Sequence, residues 1–439
     1  MTSIAIIGSG ISGLGAAYAL EDAADVTLYE RRPRIGGHAW TQTVDYDGTR
    51  IDVDVGFIVY NGLNYPNLIG FFDALGVATQ DSDMSFAVSD PDGWEWASSA
   101  RGLFAQPSNL LNPAFHRFWR TILKFNDTAR AEFGAGTITD HTLGQWLDRH
   151  GYDETFRDNY ILPMAAAIWS TPERGVLDYP AESFFRFFDN HRLMHRDRPI
   201  WRTVTGGSRQ YVDKAVSALS AQIRPACPVV SIKPFGDKIR LVTEAGAADA
   251  VHDEVIFACH ADQALALLDP AYETQRLLLG SVRYRPNRIF LHRDPALMPR
   301  RKAAWASWNV LKQPGGDICL TYWMNRLQGI DRTYPLFVTL NPERPPRDDL
   351  TFSTFELDHP QFDAAAEAAV RAIKRHQGDD GLWFAGAWMG SGFHEDGLKS
   401  GLACALALGG NVPWDAQGLE PYVRKPREGQ SVTAAGAAL

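Results

Sequence analysis

Ile4-Ala5-Ile6-Ile7-Gly8-Ser9-Gly10-Ile11-Ser12-Gly13 is the stretch that decides the fold. Its four leading apolar residues read as a short buried strand. The Gly8-x-Gly10-x-x-Gly13 turn follows at once, and an apolar helical run continues through Leu14, Ala17, Tyr18 and Leu20. Val26 to Tyr29 suggests a second strand, and Glu30 ends it, roughly 20 positions beyond the turn. This is a βαβ unit with the pattern of a dinucleotide site. Gly8 permits the tight turn, Gly10 lets the backbone approach a diphosphate, and Gly13 lets the helix pack on the strand. The helix start, at Ile11 and Ser12, offers unpaired N–H groups to an anion. Glu30 can accept ribose hydroxyls. The plainer alternative is a Gly-rich turn that serves packing alone.

Arg31-Arg32-Pro33-Arg34-Ile35-Gly36-Gly37-His38 comes next. The pair Gly36-Gly37 lets the chain pass close over a diphosphate, Arg34 can meet phosphate charge, and Arg31 is expected among the cofactor contacts. This stretch resembles the extended FAD signature of the flavin amine oxidase superfamily, which includes monoamine oxidases, protoporphyrinogen oxidases and carotenoid desaturases. The resemblance implies FAD, with no visible signature of covalent attachment. The family usually carries Arg after the Gly pair; this chain carries His38, expected as a cofactor contact in its place.

Composition bounds the class. The chain has 439 residues, 45% hydrophobic and 22% charged, ample for a large core in two domains. A net charge of −9 with pI near 5.7 disfavours general nucleic-acid binding. Cys227, Cys259, Cys319 and Cys404 are scattered without metal spacing or a disulfide framework, so no metal is expected and a reducing cytoplasm is the simplest compartment. No apolar run reaches the roughly 18 residues of a membrane span, which leaves a soluble protein or one peripheral on the inner face of the membrane.

Further flavin segments are expected along the chain. Gly56-Phe57-Ile58 lies in an apolar run, as a strand or loop passing close to a ligand would; an ordinary core strand is the alternative. In the resembled family this region lies beside the flavin ring. Pro228 to Ile232 reads as a strand, and the family's middle FAD segment would place the backbone of Val229 or Val230 on adenine. Leu382 to Gly386, followed by Gly390 to Leu398 and a helix, resembles the C-terminal FAD motif and points to Gly386, Gly397 and Leu398. There a helix N-terminus faces the flavin pyrimidine edge, and its dipole favours hydride acceptance. Ala387 stands where the family has an acidic residue.

The rest reads as substrate domain. The expected architecture is α/β: a discontinuous Rossmann-like FAD domain (1–60, 205–265 and 375–415), an α+β substrate domain (61–204 and 266–374) of amine oxidase-like form, and a frayed tail (416–439). Residues 60–205 read mostly as helices. In residues 108–126, Phe115, Phe118, Trp119, Ile122 and Leu123 recur at helical spacing beside His116, Arg120 and Lys124, with Arg117 nearby. Such a helix suits an anionic membrane surface, or else buries its aromatic stripe in the core. Phe184 to Arg202, with Arg192, His195, Arg196 and Arg198 between, could rim an acyl-chain entrance or form a buried helix and a basic loop. Around Trp308, Asn309, Tyr322, Trp323 and Asn325, aromatics alternate with small polar groups, as one wall of an apolar pocket would; structural packing is the alternative. Asn287 or Arg288 falls where amine oxidases often carry a lysine.

Asp54 to Pro66 and Met84-Ser85-Phe86 resemble a bacterial subgroup of FAD-binding proteins, often encoded beside cyclopropane-fatty-acyl-phospholipid synthase relatives. One member type desaturates methyl-branched acyl chains on the way to furan fatty acids. The expected reaction is therefore desaturation of a methyl-branched acyl chain of membrane phospholipid by hydride transfer to flavin N5. Candidate bases are His394 and Glu395, then Tyr322 and His38; each has a structural alternative. His260 reads as structural. The competing functions are an amine or amino-acid oxidase, a carotenoid- or porphyrinogen-type desaturase, and a flavin-binding protein without turnover.

Overall fold

The computed structural model describes residues 1–138, 141–169, 173–244, 250–313 and 318–423. The end of the expected tail lies outside them. Thr2–Ile7 is the central strand of a five-stranded sheet, flanked by Ala24–Tyr29 and Glu254–Phe257, with Gln222–Arg224 and Leu382–Phe384 at the edges. All its pairings are parallel. Parallel strands need crossovers, and helices therefore cover both faces. Ile4 and Ile6 pack on one side with Leu14 and Ala17, and Ala5 and Ile7 on the other with Val255 and Phe257. That double burial is why this strand is apolar without alternation.

The first helix (Ile11–Ala19) lies against the closing helix (His394–Ala407), and small residues set their distance. A Cβ on Gly15 would come within 2.3 Å of Leu398 Cδ1, and one on Gly401 within 2.1 Å of the Ser12 carbonyl oxygen. Helix Pro66–Ala74 joins this core through Leu68, Phe71 and Phe72, although it belongs to the stretch read as substrate domain. Helix Ala364–Arg375 packs Ala369 and Ile373 on the opposite face of the parallel sheet.

The second sheet has seven strands, in the order Thr351–Pro360, Tyr284–His292, Phe337–Leu340, Ile318–Trp323, Trp308–Lys312, Phe86–Ser89, Glu95–Ala97. Its pairings are antiparallel except between Trp308–Lys312 and Phe86–Ser89. Residues 60–205 thus contribute strands as well as helices. The helices on this side form an aromatic core that includes Trp146, Phe156, Phe185 and Phe188.

Helix Pro113–Gly134 starts at Asn112, whose side chain accepts from the Ala114 N–H, and it buries Phe115, Phe118, Ile122 and Phe125. Trp119 also packs on the core. The aromatic stripe is therefore core, which corrects the apolar half of the membrane-surface expectation. Arg117, Arg120, Lys124, Leu110, Leu111 and Leu123 remain outward. Phe184, Phe185, Phe187 and Phe188 are likewise buried. Among the described residues no helix is long and apolar enough to cross a membrane.

Asp54 ties three parts of the fold together. Its fully buried carboxylate accepts from Thr41 Oγ1 (2.6 Å), the Ser208 N–H (2.9 Å), Ser208 Oγ (2.7 Å) and Gln328 Nε2 (3.0 Å). Its own N–H donates to Gln328 Oε1 at 2.8 Å. These bonds join hairpin 41–54, the start of helix Arg209–Ala218 and the turn after the Ile318–Trp323 strand. Burial pushes the carboxyl up to about 6, against the pull of its hydrogen-bond donors. Asp54→Ala leaves those buried donors without an acceptor and is expected to cost about 3 kcal/mol in urea unfolding. The folded pKa lies above the unfolded one, so the folded state holds the proton more tightly. Wild-type stability relative to Asp54→Asn is expected to rise as pH falls through 6, by about 2 kcal/mol between about pH 7.5 and 4.5. Paired urea titrations at the two pH values check this; an unchanged difference refutes it.

Candidate active site

A cavity of about 1210 Å³ draws its walls from both sheets. A single small-molecule pocket typically spans about 300–1,000 Å³, so this one has room for a dinucleotide and a second molecule. At one end lies the turn after the first strand. Gly8 takes φ +108°, and Gly10 opens the first helix with extended backbone and no side-chain cap. Gly37, at φ +56°, abuts it: a Cβ there would sit 2.8 Å from Gly10 Cα. Two glycine-bearing segments thus meet as one floor, beside the helix start at Ile11 and Ser12. Glu30 is held at the end of its strand. Its Oε2 accepts from Ser9 Oγ (2.6 Å) and the Ser9 N–H (3.1 Å), and its Oε1 from the Arg32 N–H (2.8 Å). Gly8, Gly10, Ile11, Ser12, Glu30 and Arg31 line the cavity, as do Gly37, His38, Val229 and Gly386.

Other residues expected at the cofactor stand behind this wall. Arg34 donates to the carbonyls of Gly37 (2.7 Å) and Ala39 (3.1 Å) and lies over the Trp40 ring. It braces the Gly36-Gly37 loop from outside the cavity lining, which corrects the expected phosphate contact. Gly36, at φ +113°, turns against Val212. Gly13 packs on the Gly8 carbonyl, Gly397 on Ile11 and Ser12, and Leu398 beside Gly15. These glycines set close backbone packing. Val230 is 47% exposed, which leaves Val229 as the member of that pair on the cavity.

Next to this floor the wall turns aromatic. Gly56, Phe57 and Ile58 line it. Gly56 passes so near the Gly37-His38 segment that a Cβ would come within 2.1 Å of the His38 carbonyl oxygen. Phe57 stacks face to face on His394, with centroids 3.7 Å apart, and the Tyr211 hydroxyl lies 2.9 Å from His394 Nε2. Burial drives the His394 imidazole down to about 3, so it is neutral at physiological pH. Glu395 is not with it. Its carboxylate accepts from the Asn67 N–H (3.1 Å), Asn67 Nδ2 (2.7 Å) and the Leu68 N–H (2.9 Å), at the start of helix Pro66–Ala74. It caps that helix and lies off the cavity wall, which corrects its candidacy as a base.

Trp308 and Tyr322 pair across neighbouring strands, with centroids 5.0 Å apart, and both line the cavity. Trp308 Nε1 is buried without a hydrogen-bond partner. Burial raises the Tyr322 phenol above its ordinary range, so it stays protonated. Asn309, Trp323 and Asn325 do not reach the cavity, contrary to expectation. Asn309 binds the backbone of Ala306 and Thr321, and Asn325 that of Asp331, Tyr334 and Leu336. Trp323 packs edge-on to Trp305. Strand alternation turns these side chains to the far face or into the turn. Asn287 is fully buried and accepts from Asn341 Nδ2 at 2.7 Å; neither it nor Arg288 lines the cavity. Among the described residues no lysine lines it, and no group of three or more His, Cys, Asp or Glu could hold a metal.

Sequence reasoning missed His359, Phe362 and Trp388 on this wall, the wall position of His260, and Tyr211 behind His394. None carries a local motif. The donor set suits FAD: an uncapped helix start and glycine floor for a diphosphate, a fixed carboxylate at the strand end, and a large aromatic chamber beyond.

The comparisons agree. Residues 11–324 match the flavin-containing amine oxidoreductase family. A 94-residue stretch is 41% identical to tryptophan 2-monooxygenase of Pseudomonas savastanoi, covering 20% of this chain and 16% of that protein. Cyclohexylamine oxidase from Brevibacterium oxydans superposes with a TM-score of 0.66 at 17% identity, over 93% of this chain and 98% of that one. A fatty acid isomerase from P. acnes that produces CLA gives 0.62 at 14% identity, over 92% and 98%. On its sequence match, its fold and this FAD-suited cavity, the chain belongs to the flavin-containing amine oxidoreductase family.

Proposed function

We propose that this FAD-dependent oxidoreductase desaturates a methyl-branched fatty acyl chain carried on phospholipid. The observation that carries the reading is the character of the inner chamber: Met84, Phe86, Met164, Ile168, Trp308 and Leu357 line it, and no lysine does among the described residues. Such a wall matches an apolar chain, and of the carboxylates that also line the cavity Asp81 is paired with Arg202 and Asp83 with Arg326. The sequence resemblance to a branched-acyl desaturase and the fold shared with a fatty acid isomerase support the same choice.

Bound FAD would supply the hydride acceptor. Gly10, Ile11, Ser12, Glu30, Arg31, Gly37, His38 and Val229 would hold its adenosine diphosphate half, and Gly56, Phe57, Ile58 and Gly386 would border the rest. The aromatic wall excludes water and aligns the chain. His394, neutral and joined through Nε2 to the Tyr211 hydroxyl, is the proton acceptor in this reading. Tyr322, held protonated, shapes the chamber and does not act as a base.

The family name and the cyclohexylamine oxidase fold favour a second reading, amine oxidation. Anaerobic mixing of the yellow protein with methyl-branched phospholipid separates the two. Bleaching of the flavin band with a new double bond in the recovered lipid is expected; bleaching by amines and not by lipid overturns the proposal. His394→Gln is expected to lower the rate of bleaching about 100-fold while the protein stays yellow. Gly37→Ala places a Cβ against Gly10 and is expected to weaken FAD retention at least about tenfold, read as flavin content after gel filtration. Contact with an anionic membrane rests on the outward cations Arg117, Arg120 and Lys124. Replacing all three with Glu is expected to reduce liposome co-sedimentation several-fold, and unchanged binding rejects that contact.

A further inference from the structure

His38, His260 and His359 meet on the cavity wall although they come from three distant segments. The His38 ring lies 5.7 Å from that of His260 and 6.2 Å from that of His359, centroid to centroid. His260 precedes helix Ala261–Leu267 and stacks on Tyr284 at 4.5 Å, and its Nδ1 is buried without a partner. His359 is on the edge strand Thr351–Pro360. His38 directly follows Gly37, which touches Gly10 at the start of the first helix. The three imidazoles therefore share one cavity with the helix start at Gly10, Ile11 and Ser12 that suits a diphosphate, and the chain leads directly from that contact to His38. Arg31, Arg32 and His394 face the cluster with positive or potentially positive charge; Asp262 and Asp358 face it with negative charge.

We propose that these imidazoles form a proton-accepting cluster for the diphosphate of FAD, so that binding the dinucleotide takes up a proton from solvent onto the cluster. Without an anion, burial and mutual repulsion keep the rings neutral: His38 and His260 are pushed below their ordinary value, and His359 down to about 4. A diphosphate anion reverses the balance, because an opposite charge favours the protonated ring. The other charged groups do not replace this response. Arg31 and Arg32 attract an anion, and Asp262 and Asp358 oppose one. Where the resembled family usually has a permanent arginine charge, this chain has one that forms on demand.

The sign follows from linkage. A ligand that carries a proton into the complex binds more weakly as pH rises, about tenfold per pH unit for each proton taken up. The inference rests on FAD in this cavity and not on the acyl substrate. The test dilutes FAD-loaded protein at fixed ionic strength, between about pH 5.5 and 8.5, and reads released FAD by its fluorescence. The expected result is a dissociation constant that rises with pH by up to about tenfold per unit over part of the range, with a flatter profile in His38→Gln and in His359→Gln. Should His38→Gln misfold, the wild-type and His359→Gln profiles still decide. A flat wild-type profile, or an unchanged slope in every folded variant, overturns the cluster. Absence of FAD binding at any pH would instead strike at the cavity assignment itself, whereas the acyl reading is tested by bleaching alone.

Discussion

The structure depends on backbone approaching backbone more closely than any side chain allows. Gly10 and Gly37 touch at the start of the first helix, Gly13 closes on the Gly8 carbonyl, and Gly56 closes on that of His38. Each contact brings a different part of the chain to one point at the end of the central strand. A Cβ on Gly13 or Gly56 would lie about 2 Å from those carbonyl oxygens and one on Gly37 2.8 Å from Gly10 Cα, and interiors packed as densely as organic crystals have little slack to absorb that. The floor of the cavity and the position of the Gly56-Phe57 stretch follow from these contacts, and Gly15 and Gly401 set the approach of the closing helix in the same way.

Polar groups around that floor are spent on holding it. Arg34 serves backbone carbonyls behind the loop, Glu30 steadies Ser9 and Arg32, and Glu395 caps a neighbouring helix. Asp54 performs the same task one layer out. Buried charges are stable only with such partners. Hence Arg34 and Glu395 do not face the cavity, while Asp83 and Arg326, joined as an ion pair, line it beside the aromatic rings and imidazoles. On that wall Trp308 Nε1 is a buried donor without a partner. Glycine floor, charged groups and aromatic rings thus share one cavity.

Helical periodicity was legible but ambiguous about what it faced. The stripe Phe115, Phe118, Ile122 reads equally as a membrane face or a core face, and the second sheet claims it for the core. Aromatic alternation around Trp308 and Tyr322 was likewise legible, but it names both faces of a strand at once. Trp308 and Tyr322 line the cavity while Asn309 and Trp323 do not, because the pleat turns successive side chains apart and only the packed sheet says which side is inner.

What the sequence determined by itself is everything set by local backbone rules. The βαβ unit, the glycines at Gly8, Gly10 and Gly37 and the acidic residue at Glu30 follow from turn geometry and short-range spacing, and the parallel FAD sheet follows from them. Only the tertiary structure decided which polar residues face the cavity and which brace it. Arg34 and Glu395 moved to the bracing side, His260 and His359 came to the wall, and Tyr211 arrived behind His394. The reason is physical: a turn is a property of a few consecutive residues, whereas a cavity wall is assembled from segments hundreds of positions apart whose meeting is set by packing.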